Sequence, residues 1–207
     1  SWFGNNGLWP PLCDQLGQGF DMLPRLRSNQ NLFDIPAPPD KVRPGRPKKY
    51  GIKLGNASSI ASESIDHARH YDVNLYGRPR TVLAYDRVVM LKTLKCPVRV
   101  VWVYRKTQWV ALFSTDLDLS VEQIIEYYGA RWKIEAAFKE LKQDIGSADT
   151  QSRNPEAVKN HLHFSMMAMS VAWIYASRYE KVPQRHHAVG GRRHFAFSDV
   201  RRSVAQA

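Results

Sequence analysis

Val98-Arg99-Val100-Val101-Trp102-Val103-Tyr104 is largely apolar on both alternations, and soon afterwards the chain changes period at Ser120-Val121-Glu122-Gln123. The first stretch reads as a strand covered on both faces. The second is a capping box, Ser at the N-cap and Gln three residues on, that opens a long helix to about Gln143, ended by Gly146. Working back, Ala68–Leu75, Thr81–Tyr85, Val88–Thr93 and Trp109–Ser114 read as further strands rich in Val, Tyr and Trp. Arg105-Lys106-Thr107-Gln108 reads as a hairpin turn. Working forward, Asn154-Pro155-Glu156 is an N-cap with Pro at the first helical position, opening a helix over 154–179. Its centre, Phe164 to Tyr175, is apolar all round and is expected to be buried. A short basic helix starts at Phe197-Ser198-Asp199. Toward the amino end, Leu8–Leu16 reads as a short helix and Phe20–Phe33 as a strand or hairpin around Ser28-Asn29. Five prolines make residues 34–51 a loop. Strands followed by long helices indicate an α/β or α+β chain.

Composition narrows the function classes. Hydrophobic residues at 43% and charged residues at 24% exclude wholesale disorder in this 207-residue chain. The sequence has no uninterrupted apolar run of about 18 residues, so no membrane span is expected. Ser1-Trp2-Phe3-Gly4 lacks both Met and a signal-peptide pattern and reads as an internal cut from a longer chain. Two cysteines, Cys13 and Cys96, make neither a disulfide scaffold nor a zinc cluster, which suits a cytoplasmic protein. The net charge of +11 is concentrated in two places. Lys41 to Lys53 carries six basic residues and no acid, and Arg178 to Ala207 carries a net +5. Charge gathered this way suits a polyanion, nucleic acid being the commonest. A solvated loop and tail is the alternative.

The helix over 120–143 carries the functional signal. At about 100° per residue, Tyr128 at zero puts Arg131 near 300°, Glu135 near 340° and Lys142 near 320°. Ile124, Ile134 and Phe138 share or flank that arc, which places these charges on a stripe expected to face inward. A buried charge needs a partner or a ligand. The four residues span about 21 Å of helix axis, longer than a small molecule but suited to a nucleic-acid backbone. The alternative is an intrahelical network, since Arg131 and Glu135 are i,i+4 partners.

Tyr128, Arg131, Glu135 and Lys142, with the text Tyr127-Tyr128-Gly129-Ala130-Arg131-Trp132-Lys133-Ile134-Glu135 and Phe138-Lys139-Glu140-Leu141-Lys142, resemble a known signature. It is the Tyr–Arg–Glu–Lys box of bacterial DDE transposases of the insertion-sequence-four type. The lead-in Leu112-Phe113-Ser114-Thr115-Asp116, the Trp2-Phe3-Gly4 opening and the Gly45-Arg46-Pro47 loop extend the resemblance over most of the chain. It implies an α/β fold, the carboxy-terminal part of an RNase H-like core with a β-rich insertion before the catalytic helix. In these terms 1–20 is the tail end of the core before the insertion. Residues 21–110 are the insertion, with its basic loop at 34–53. Residues 111–180 are the remaining core, and 181–207 a basic tail.

The resemblance further implies metal-dependent DNA cleavage and strand transfer, with two Mg2+ or Mn2+ ions held by three carboxylates. An anionic phosphodiester resists attack until cations neutralise it. Glu135 would be the third carboxylate and a metal ligand. Tyr128, Arg131 and Lys142 would contact DNA. Both aspartates would precede residue 1; Asp14, Asp21, Asp34 and Asp116 do not stand where the pattern puts one. The chain alone is therefore expected not to cut DNA. A homodimer is implied for the complete protein, acting in the bacterial nucleoid. The rival reading is a non-catalytic DNA-binding remnant.

Three smaller features complete the picture. Arg43-Pro44-Gly45-Arg46-Pro47-Lys48-Lys49 resembles a minor-groove hook, with Arg46, Lys48 and Lys49 as DNA contacts, or else is a plain basic linker. Trp102, Tyr104 and Trp109 interleave with Arg99, Arg105 and Lys106, either to stack an unpaired base or simply as sheet core. His67, His70, His161 and His163 have no cysteines nearby to suggest zinc, Asp116 suits a turn, and His186-His187 suit a solvated tail.

Overall fold

The computed structural model describes residues 9–17, 20–37, 48–178 and 196–206. It divides into two compact units, Ser1–Ala130 and Arg131–Ala207. The first unit begins with helix α1 (Trp9–Leu16), the short strands β1 (Asn31–Phe33) and β2 (Lys53–Asn56), and helix α2 (Ala57–Glu63). Strands β3 (Arg69–Leu75), β4 (Arg78–Leu91), β5 (Cys96–Tyr104) and β6 (Trp109–Ser114) follow, then helix α3 (Val121–Ala130). The second unit holds α4 (Trp132–Gln143), α5 (Pro155–Ser177) and α6 (Phe197–Ala205). The mixed α/β class expected from the sequence is what is observed.

The sheet is antiparallel throughout, in the order β2-β1-β4-β5-β6, with β3 also on β4. β4 accepts two neighbours on one edge because of its length. β3 pairs with its first half, Arg78 to Ala84, while Phe33 of β1 meets Met90 near its end. The sequence suggested two strands here, broken at Asp86-Arg87. The break is absent because both charges find partners across the structure: Asp86 with Arg99 at 2.8 Å and Arg87 with Asp34 at 3.3 Å.

β5 is covered on both faces, as its composition predicted. Val98, Val100 and Trp102 join one apolar cluster with α2 residues Ala57, Ile60 and Ala61. Val101 and Val103 join a second with Val121, Ile124 and Ile125 of α3. Residues 20–27 do not form a hairpin of their own; they run beside β6, with the Leu26 N–H donating to Ala111 and the Phe113 N–H to Pro24. Unforeseen α2 is started by Asn56, whose side chain accepts from Ser59 N–H at 2.8 Å while the Ser59 hydroxyl accepts from Asn56 N–H. The Trp102 indole N–H and the Tyr104 hydroxyl donate to its Ala57 and Ala61 carbonyls and clip it to the sheet.

Two helical expectations need correction. The single helix over 120–143 is two, α3 and α4, with Arg131 between them. Gly129 lowers helix propensity at that point, and the Ile134 N–H closes a tight turn on Arg131. The centre of α5 is not buried: Phe164 is 71% exposed, and Met167, Val171 and Ile174 are exposed as well. One stripe of this helix finds cover, with Ala172, Met169 and Ala176 packing against Phe197 and Val200 of α6. Being apolar all round fixes what a helix prefers, not how much of it has a neighbour.

Candidate functional site

Ser120 caps α3 as its sequence required. Its hydroxyl accepts from Gln123 N–H at 3.2 Å, and the Gln123 side chain accepts from Ser120 N–H at 2.9 Å. α3 lies along β3 with Val121, Ile124 and Ile125 buried, and Tyr128, near its end, is partly buried against the same cluster. α3 approaches the sheet closely at Gly129, where a Cβ would stand 2.7 Å from the tip of the Leu75 side chain, so a larger residue there would make that side chain turn aside. Asp116 takes the turn role expected of it, its carboxylate accepting from Asp118 N–H at 2.9 Å.

Arg131, just before α4, and Glu135 and Lys142 on it fall within an arc of about 40°. The Arg131 guanidinium meets the Glu135 carboxylate at 3.1 Å, with the two side chains 50% and 45% exposed. Lys142 is also exposed. So are Trp132, Ile134 and Phe138. The inward stripe expected from the helical wheel is therefore an outward one on this helix. Only Leu141 of α4 is buried. These charges are therefore not buried ones in need of a partner; they form a reachable row of two cations around one carboxylate. Glu140, on another face, has its carboxyl pushed up by partial burial and then by the Asp144 charge.

These residues do not by themselves fit a two-metal centre. Among the described residues no group of three His, Cys, Asp or Glu lies close enough to hold a metal ion. Glu135 supplies one carboxylate, already facing a guanidinium. The His161 ring hydrogen-bonds the Gly146 carbonyl at 3.0 Å, and His67 and His70 sit in a short 3-10 turn and in β3.

Of the basic and aromatic candidates, Lys48 and Lys49 are exposed, while Arg46, Trp2-Phe3-Gly4 and His186-His187 lie outside the described residues. Trp102 is fully buried and Tyr104 partly so, both spent on fixing α2, with burial also raising the Tyr104 hydroxyl pKa. Arg99 is spent on Asp86 and the Leu119 carbonyl. Trp109 is the reachable ring of the three. It lines an open cleft of about 490 Å³ with Arg25, Arg27, Ser28 and Asn29 rather than with Arg105 and Lys106. The sequence also carries a second Gly-Arg-Pro, Gly77-Arg78-Pro79, followed by Arg80, a basic signal as plain as the first.

A family model described as the transposase DDE domain matches residues 10–171, a span that includes Tyr128, Arg131, Glu135 and Lys142. The chain belongs to this transposase DDE family. Membership makes transposition its function at the family level, DNA the substrate class, and nuclease chemistry using divalent metals the family's activity. The comparison with curated proteins found no match. Among the described residues no helix is long and apolar enough to cross a membrane.

Proposed function

We propose that the chain is the carboxy-terminal part of a bacterial insertion-element transposase of the insertion-sequence-four type. In this reading Arg131 and Lys142 grip the phosphate backbone of the element's DNA, Tyr128 is a further DNA contact, and Glu135 is the third metal-binding carboxylate. The observation that carries it is the exposed row on α4, with Arg131 against Glu135 at 3.1 Å and Lys142 exposed, inside the span matched by the family. Arginine suits bidentate phosphate binding and lysine acts there as a point charge. The Arg131–Glu135 pair keeps each charge compensated until phosphate and cation displace it. Lys48 and Lys49, and Arg46 in the same basic stretch, add attraction to the polyanion. Mg2+ or Mn2+ would require carboxylates beyond those gathered among the described residues, so cleavage and strand transfer belong to the complete protein, as a homodimer on DNA. As a DNA-acting protein it would work in the bacterial cytoplasm.

The test is binding of a labelled DNA duplex by the chain across a salt series. Phosphate contacts make affinity fall steeply with salt. Arg131→Ala and Lys142→Ala should each weaken binding and lower the slope by about one. Glu135→Ala should leave binding intact or tighter, because it removes a negative charge facing the DNA. Salt-insensitive binding, or none, would refute the reading.

A further inference from the structure

The β3–β4 hairpin ends in Tyr76-Gly77-Arg78-Pro79-Arg80, two arginines without an acid. Its turn is tight: Tyr76 has φ 57° and Gly77 φ 72°, the left-handed pair that matches the twist of a two-residue hairpin. Glycine takes that conformation freely. Tyrosine does so under strain, and here its ring is 64% exposed rather than packed. The strain therefore serves no core contact.

The register decides where the arginines point. Arg78 is opposite Leu75 and Arg80 opposite Val73. Residues opposite one another share a face, and Val73 and Leu75 face the cluster that includes α3. Both arginines therefore stand on the α3 side, about 6.8 Å apart along the strand. Leu75 is the residue that Gly129 approaches, so Arg78 flanks the end of α3 that carries Tyr128. The Glu126 carboxylate holds the arrangement by accepting from the Asn74 N–H at 2.6 Å. Arg78 and Arg80 are exposed, and among the described residues neither makes an ion pair. At the opposite end of β4, Lys92 and Lys95 lie on the other turn, roughly 40 Å away by strand length.

We infer that the tip of the β3–β4 hairpin is a second DNA contact, in which Arg78 and Arg80 bind neighbouring phosphates of the strand that Tyr128 meets. This rests on the DNA-binding reading above and extends it to an element outside the signature. Two guanidinium groups on one strand face, separated by one residue, can follow a backbone without reading its bases.

The test compares the Arg78→Gln/Arg80→Gln chain with a charge-matched control, Lys92→Gln/Lys95→Gln, in salt titrations on one A·T-rich and one G·C-rich labelled duplex. The hairpin variant should lose about two units of salt slope, equally on both duplexes, while the control keeps the wild-type slope. Unchanged melting temperatures exclude a folding effect, and Arg80→Gln alone, losing about one unit, gives the same reading from a milder change. Equal slope loss in hairpin variant and control would reduce the contact to bulk charge and overturn the inference. Loss confined to the A·T-rich duplex would mean minor-groove insertion and overturn the backbone assignment. A wild-type slope in the hairpin variant would overturn the hairpin contact while leaving the α4 reading intact. Absent salt-dependent binding by the wild type would overturn both.

Discussion

Arg131→Ala separates a DNA-gripping row from a structural network. The ion pair it breaks is i,i+4, from the cap residue of α4 to its first turn, 3.1 Å long, with side chains 50% and 45% exposed. Solvent screens such a pair, so its loss should cost only about 0.2–0.5 kcal/mol. With a urea dependence of about 1–3 kcal/mol per molar, the midpoint should move by less than about 0.5 M. Lys142→Ala, at an exposed position, should change stability by no more than about 0.5 kcal/mol. Urea unfolding followed by far-ultraviolet circular dichroism gives both numbers on the same preparations used for DNA binding. The expected result is near-wild-type stability with weakened, less salt-sensitive binding. A loss above about 2 kcal/mol in Arg131→Ala, together with similar losses in Glu135→Ala and Lys142→Ala, would show that these charges hold the protein together. The reasoning would then be refuted.

Three further outcomes test the structure around the site. Trp102→Phe removes the indole N–H that holds the Ala57 carbonyl in a fully buried setting and should cost about 1–3 kcal/mol in chemical unfolding; a neutral result would mean that α2 is not clipped to the sheet. Glu140, with its carboxyl pKa raised, favours the folded state most when protonated, so its contribution is full below about pH 4.5 and is lost as pH rises through the folded value. Glu140→Gln should accordingly raise the melting temperature at pH 7 and lose that advantage in acid, and the opposite pH trend would contradict the assigned causes. Burial, with Cys13 adding to it, pushes the Cys96 thiol up to about 11. Its alkylation in the folded protein, followed by mass spectrometry, should be slow at pH 8 and accelerate toward pH 11; rapid labelling at pH 8 would contradict that burial.

Local signals carried over from sequence to structure most faithfully. Ser120 with Gln123, Asn154 with Pro155, and the Arg105–Gln108 turn are each closed by hydrogen bonds between near neighbours. The double coverage of β5 was readable because both alternations of its side chains are apolar. What could not be read depends on distant partners. The ion pairs of Asp86 and Arg87 join β4 to residues elsewhere in the chain and turn an apparent break into one strand. The exposure of Phe164 and its neighbours on α5 depends on what packs there, which periodicity does not encode. α2 had a signal, the reciprocal pairing of Asn56 and Ser59, hidden by the lack of a long periodic segment after it. At the candidate site the spacing of Arg131, Glu135 and Lys142 was plain, and their outward direction was not.

Amide chemical-shift mapping of the isotope-labelled chain, titrated with a short DNA duplex at low salt, tests the α4 interface most directly. Contact through α4 should shift the amides from Arg131 to Lys142, together with those around Tyr128, and the shifts should vanish as salt is raised. Shifts confined to other segments, with α4 unmoved at saturating DNA, would contradict it.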